Sequence, residues 1–291
     1  MKRGNGVFLE RRVLDRPTLL RSPTAFLARA VAALCMATCG GLFAATHAWA
    51  LDQGDDVSRV FSFGGMCLSC ELSGRKLPDA RFMGANFTGA TMVGSDLHGA
   101  WFFGANFSKA DMARANLSGA SLFGSDFEGV NFTDANLAGV KGHGASFTSA
   151  NLTRTHFEGA NLLGANLERV NGRNANFTGA SMLGANLEDS HFDGASFKNA
   201  NFFGASLLSA TFPGADFTGA TLNHANLTGA DLSGAKGLTQ AQVDLACSAP
   251  TTKLPAGLTG RPCRGGGPNV IVLHTTTPVH GGPRYIVDVA P

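Results

Sequence analysis

The stretch Ala85-Asn86-Phe87-Thr88-Gly89-Ala90-Thr91-Met92-Val93-Gly94-Ser95-Asp96-Leu97-His98-Gly99 states one short phrase three times, and its reading decides the fold. Each phrase opens on a small residue, places a large apolar one two positions later and closes on Gly. Working outward in both directions, every fifth residue from Ala80 to Ala235 is small: 32 positions hold 25 Ala, 3 Ser, 3 Val and 1 Thr. Two residues after each, the 31 positions from Phe82 to Leu232 hold 14 Phe, 12 Leu, 3 Met and 2 Gly. Helices repeat at 3.6 and strands at 2, so a period of five fits neither. It fits a coil that turns a corner every five residues, with one small and one large side chain inward from each segment and polar residues outward.

A second period lies inside the first. Phe82-Met83-Gly84-Ala85, Phe102-Phe103-Gly104-Ala105, Leu122-Phe123-Gly124-Ser125, Leu162-Leu163-Gly164-Ala165 and Phe202-Phe203-Gly204-Ala205 recur at steps of 20. Four segments per coil and about eight coils stacked ~4.8 Å apart give a rod of roughly 37 Å. One wall reads Phe87, Phe107, Phe127, Phe147, then Leu167, Leu187, Leu207; the opposite wall reads Leu97, Leu117, Leu137, then Phe157, Phe177, Phe197, Phe217. Large faces smaller, so each coil keeps a similar core volume, as dense packing requires. Gly142 and Gly172 stand where large residues belong, each preceded by a Val at the small position, Val140 and Val170. The reading is that each Val partly fills the void; a bulge or ligand pocket at Lys141-Gly142-His143-Gly144 is the alternative.

The phrases Ala85-Asn86-Phe87-Thr88-Gly89, Ala115-Asn116-Leu117-Ser118-Gly119 and Ala230-Asp231-Leu232-Ser233-Gly234 resemble the pentapeptide-repeat family, whose motif is A-(D/N)-L-x-x. The resemblance implies an all-β chain, a right-handed quadrilateral β-helix with small end caps. It carries a fold and no activity.

The ends read differently. Residues 1–50 look like an export leader: a basic start, an apolar run from Ala30 to Ala45 too short for a comfortable membrane span, and Ala48-Trp49-Ala50 before a cleavage point after Ala50. An uncleaved anchor is the alternative. Export places the mature chain in the periplasm or outside the cell, with no membrane span of its own. Residues 51–79 are expected to cap the N-terminal end of a solenoid running over 80–236. Residues 237–263 are expected to cap the other end, with Thr239 and Gln242 forming a capping box on a short helix through Val243, Leu245 and Ala246. The rest, 264–291, is a Gly-rich linker and tail in which Val270-Ile271-Val272-Leu273 and Tyr285-Ile286-Val287 either pair as a hairpin or stay disordered.

Few residues point to chemistry. Four cysteines survive removal of the leader, and an even count in an oxidising compartment favours disulfides, Cys67–Cys70 and Cys247–Cys263 by chain proximity. The Cys67-x-x-Cys70 spacing also admits a thiol redox role, but Glu71 excludes haem attachment and no second ligand pair supports zinc. His98, His143, His156, His191 and His224 fall at five different phases of the coil, so they build no metal ladder. No catalytic, cofactor-binding or metal-binding residue is assigned, and no cofactor is expected. One outward row is unusual. Met83, Phe103, Phe123, Leu163, Leu183 and Phe203, with His143 among them, follow the large inward position at steps of 20, where other segments carry polar residues. Either each folds over its own corner, or together they form an apolar ridge that contacts another protein.

The function expected is therefore an exported, non-enzymatic structural or interaction module that binds a protein partner or itself. The family resemblance also raises DNA mimicry against topoisomerase. The leader opposes this, and so does charge: residues 80–235 hold 12 acidic and 8 basic residues, a net charge of −4, modest for a phosphate-backbone mimic. With a net charge of +2 over the whole chain there is no footprint for nucleic acid either.

Overall fold

The computed structural model describes residues 65–263 and, as backbone, the strands β1 (Phe61–Phe63), β4 (Ile271–Thr276) and β5 (Arg284–Val289). The leader, its cleavage point after Ala50 and the Gly265–Pro268 linker lie outside the described residues.

Parallel bridges join each segment to the one 20 residues further on, from Met66↔Asn86 to Asp216↔Lys236, without a slip in register. Four five-residue segments therefore make one coil. On the first of the four faces the ladder lengthens into a three-stranded parallel sheet of β1, β2 (Arg81–Met83) and β3 (Trp101–Phe103), in that order. The first face carries Phe82 and Phe102 inward, the second Phe87 and Phe107, the third Met92 and Met112, and the fourth Leu97 and Leu117. All of these are buried.

The motif explains its own geometry. In Ala85–Gly89 the alanine and phenylalanine point inward, and the Asn86 carboxamide oxygen accepts the Thr88 N–H at 3.0 Å. That bond holds the chain ready for its corner, where the Ala90 N–H donates to the Phe87 carbonyl at 2.9 Å. Gly89 at the corner has φ +67°, the left-handed region that glycine enters without steric cost. Where Ala is replaced by a polar residue the hydroxyl is mostly answered, buried Ser95 Oγ being the exception among the described residues. Ser125 Oγ donates to the Phe102 carbonyl at 3.0 Å and Thr155 Oγ1 to the Phe132 carbonyl at 2.8 Å, so both stay buried without an orphaned group.

Two opposite columns of stacked rings run through the core. Phe87, Phe107, Phe127 and Phe147 follow one another at 4.9, 5.1 and 5.2 Å between centroids; on the opposite wall Phe157, Phe177, Phe197 and Phe217 follow at 4.8, 5.2 and 5.1 Å. The two glycines leave no bulge, since the ladder runs straight through them: the Gly142 N–H donates to the Asn161 carbonyl at 2.8 Å and Gly172 N–H to that of His191 at 2.7 Å. Their space is taken less by Val140 and Val170 than by the next large residue up the same face. Phe192 lies where a Cβ on Gly172 would sit, and Leu162 Cδ2 comes within 2.9 Å of the Cβ position of Gly142.

At the lower end the coil begins earlier than residue 80. Met66, Glu71 and Lys76 already bridge to Asn86, Thr91 and Asp96, so 66–79 form a coil rather than a separate cap. Cys67 and Leu72 take large inward positions there and Cys70 a small one, all buried. At the upper end the helix α1 spans Gln240–Val243, and the capping box at Thr239 and Gln242 is formed. The helix stops before Leu245, because the Leu245 carbonyl accepts the His224 N–H at 2.8 Å and so continues the coil ladder. Gln242 Nε2 donates to the carbonyls of Phe217 and Ala220, and Val243 covers the open core. Bridges Asn226↔Cys247 and Asp231↔Lys253 carry the ladder on at spacings of 21 and 22 residues. β4 and β5 pair antiparallel, from Ile271↔Val289 to Thr276↔Arg284. Among the described residues no helix is long and apolar enough to cross a membrane.

Candidate interaction surface

The apolar row sits on the first face, at the edge that meets the second. Its members are not equivalent. Met83 and Phe103 are 47% and 59% exposed, whereas Phe123, His143, Leu163, Leu183 and Phe203 are half-buried. Part of that cover comes from stacking along the row: the Phe123 and His143 rings lie 4.8 Å apart and nearly parallel. The row is thus most open at its lower end, at Met83 and Phe103.

Residues outside the row enlarge its exposed end. Trp101 shares β3 with Phe103 and is 51% exposed, with the Arg81 guanidinium 5.2 Å from its ring centre. Met66, 64% exposed, lies just across the corner, on the second face one coil down. Trp101 occupies the position before the large inward residue, where the motif elsewhere asks for Asn or Asp; that departure was the available signal for it. Charge sets the face apart as well. Between residues 80 and 235 all 12 acidic residues lie on the other three faces, and the first face holds only Arg81, Lys141, His143 and His224 among charged or titratable groups.

On the other faces several carboxylates are engaged. Arg154 grips Asp134 through two bonds of 2.6 and 2.8 Å, which lowers the pKa of Asp134; Thr218 and Lys198 hold that of Asp216 down, and Ser233 and Lys253 that of Asp231. His98 pairs with Asp96 and His156 with Glu158, each an exposed local contact. Among the described residues no three His, Cys, Asp or Glu side chains cluster closely enough to hold a metal ion. Cys67 is bonded to Cys70 across the first corner of the lowest coil, and Cys247 to Cys263 across the upper cap. Cys67 and Cys70 are buried at the lower end of the core.

Comparison with one solved structure agrees with this geometry. HetL, a pentapeptide repeat protein involved in heterocyst differentiation regulation from the cyanobacterium Nostoc sp. strain PCC 7120, is 30% identical, with a TM-score of 0.61 over 62% of this chain and 81% of its own. QnrB1, a plasmid-mediated fluoroquinolone resistance protein, is 20% identical, with a TM-score of 0.36 over 66% of this chain and 92% of its own. A pentapeptide repeat protein of the Arabidopsis thaliana thylakoid lumen is 28% identical, with a TM-score of 0.19 over 40% and 63%. No curated protein sequence matches the chain. The family model for pentapeptide repeats matches in eight copies between residues 69 and 236, more than half of the chain, and the protein belongs to the pentapeptide-repeat family.

Proposed function

We propose that this protein is a non-enzymatic interaction module of an exported, oxidising compartment, and that the lower half of its first face is the contact surface. The observation that carries this reading is the gathering of Met66, Met83, Trp101 and Phe103, all exposed, on and beside a face without a single carboxylate. Large aromatic and methionine side chains in a cluster free of carboxylates are what the centre of a protein interface requires. The coils that present them are taken to wind right-handed, the hand that parallel β-crossovers adopt and that the family resemblance implies. Export is supported by the leader sequence and by two disulfides in a chain whose solenoid packs densely without them. DNA mimicry is supported less: the acidic residues are spread over three faces, and Asp134, Asp216 and Asp231 are paired with cations.

The test replaces Trp101 and Phe103 together by Ser. Sedimentation and pull-down from the periplasmic fraction should show lost self-association or lost partner capture, with melting unchanged within about 2 °C. Unaltered association would remove the surface; a large fall in melting temperature would show that these two residues are structural. N-terminal sequencing of the mature protein should begin at Leu51, and an intact Met1 terminus in the cytosol would overturn export.

A further inference from the structure

The apolar row does not end at Phe203. The Gly184 N–H donates to the Phe203 carbonyl, Gly204 N–H to that of Asn223, and His224 N–H to that of Leu245, at 2.9, 2.9 and 2.8 Å. Asn223 therefore follows Phe203 in the row and Leu245 follows Asn223; at 54% exposed, Leu245 is the one large apolar side chain left open on the upper cap among the described residues. The upper stretch of the row thus holds Leu183, Phe203 and Leu245, with Asn223 between the last two.

The tail supplies a matching surface. The β4–β5 register pairs Ile271 with Val289, Leu273 with Val287 and Thr275 with Tyr285. Alternation along a strand puts these three pairs on one face of the hairpin and Val272–Asp288, His274–Ile286 and Thr276–Arg284 on the other. One face is almost wholly apolar. A two-stranded hairpin is marginal in water unless that face is covered.

Tether and dimensions select the cover. Cys263, the last residue before the tail, has its Sγ 3.8 Å from Asn226 Oδ1. Asn226 opens the second face directly after the His224–Ala225 corner, so the tail departs one corner away from Leu245 and Phe203. Residues 264–270 can reach at most ~23 Å. The three rungs from Leu183 to Leu245 cover ~14 Å, and a six-residue strand is ~20 Å long. The reach is ample, and a strand is long enough to span the three rungs.

We propose that the β4–β5 hairpin packs its Leu273 face over the upper stretch of the first face of its own chain, against Leu183, Phe203 and Leu245. The lower cluster stays open for a partner, so this covering neither uses nor requires the contact surface proposed above.

Cysteine trapping tests it in the full mature chain, whose native cysteines are already paired. The Leu183→Cys/Leu273→Cys variant should form an intramolecular disulfide under mild oxidation, seen by peptide mapping of the monomer. The Leu183→Cys/Ile286→Cys variant, which uses the other hairpin face, should not. Disulfide-linked dimers would assign the site to a second copy and overturn the proposal, as would equal trapping of both variants or none. An independent readout needs no added cysteine. Trypsin should cut at Arg284 about tenfold faster in Phe203→Ser than in the native chain, because undocking exposes the hairpin. Phe103→Ser should leave that rate unchanged while weakening partner association. Equal cleavage rates in Phe203→Ser and the native chain would overturn the docking and leave the contact surface standing.

Discussion

Gly172→Ala should destabilise the solenoid, whereas Gly142→Ala should not, although the two glycines occupy equivalent positions in the repeat. Neither has positive φ, so alanine fits both backbones, and removing a glycine from the unfolded chain stabilises by about 0.4–1 kcal/mol at each. The difference lies above them. A Cβ at 172 would fall within the ring of Phe192, which is fully buried, stacked on Phe212 at 5.6 Å and edge-on to Phe177 at 5.8 Å. The ring has no free direction in which to retreat, and overpacking of this kind costs about 1–3 kcal/mol. A Cβ at 142 would meet only Leu162 Cδ2, at 2.9 Å, the end of a side chain that can shift by a few tenths of an ångström. The net expectation is a loss of about 1–2 kcal/mol for Gly172→Ala and a change within about 0.5 kcal/mol for Gly142→Ala. Urea unfolding should show the first as a lower midpoint at unchanged slope. Adding Phe192→Leu to Gly172→Ala should recover much of the loss, since the two sites are in contact and must couple. Equal midpoints for the two glycine variants, or no recovery in the double variant, would refute the claim that these voids are filled along the column.

Two further outcomes follow from the core and from the row. Phe127→Ala should cost about 3–5 kcal/mol, because it opens a cavity between Phe107 and Phe147; Thr133→Ala, which gives up outward hydrogen bonds to Asn131 and Asn151, should cost about 1 kcal/mol, and similar unfolding midpoints would mean that inward and outward are misassigned. His143 is held below the ordinary imidazole pKa by burial and then by Lys141, so its contribution is present above about pH 6.5 and is lost as pH falls toward the folded-state value. Between pH 7 and 5 the native chain should therefore lose more stability than His143→Phe, and parallel pH profiles of the melting temperature would contradict this.

What the sequence discloses here depends on distance along the chain. Register was legible because two of every five residues must face a core of constant width, and from Ala80 to Ala235 only Gly142 and Gly172 depart from that rule. The start of the coil was harder to see, since Gly65, Cys70 and Arg75 stand where Ala would mark a corner; only Cys67, Leu72 and Leu77 betray the phase. Leu245 was invisible as a member of the row, because two inserted residues take it out of the 20-residue step, and only the His224 hydrogen bond restores the correspondence. The filling of Gly172 was missed for a related reason. Volume was balanced within a coil, through Val170, whereas the space is taken by the residue one step up the same column, Phe192.

A solenoid of this kind separates its two sources of information. The inward positions answer to packing and are nearly interchangeable from coil to coil, so they say nothing about a partner. The outward positions carry no such duty: on the second to fourth faces they are filled by Asn, Asp, Ser and Thr, whose side chains bond to the segment's own backbone, as Asn86 does to Thr88 and Asp216 to Thr218. The first face largely forgoes that local stabilisation at its lower end, where Arg81, Trp101, Ser121 and Lys141 hold the equivalent place. It also carries apolar side chains in water at Met83 and Phe103. At that end the first face also forms the short strands β1 to β3, while the corners repeat on all four faces. Apolar side chains in water lower solubility and add little to the fold unless something covers them. Two covers suit the two stretches of the row: the chain's own hairpin at the upper end, within reach of its tether, and another molecule at the lower end, beyond it.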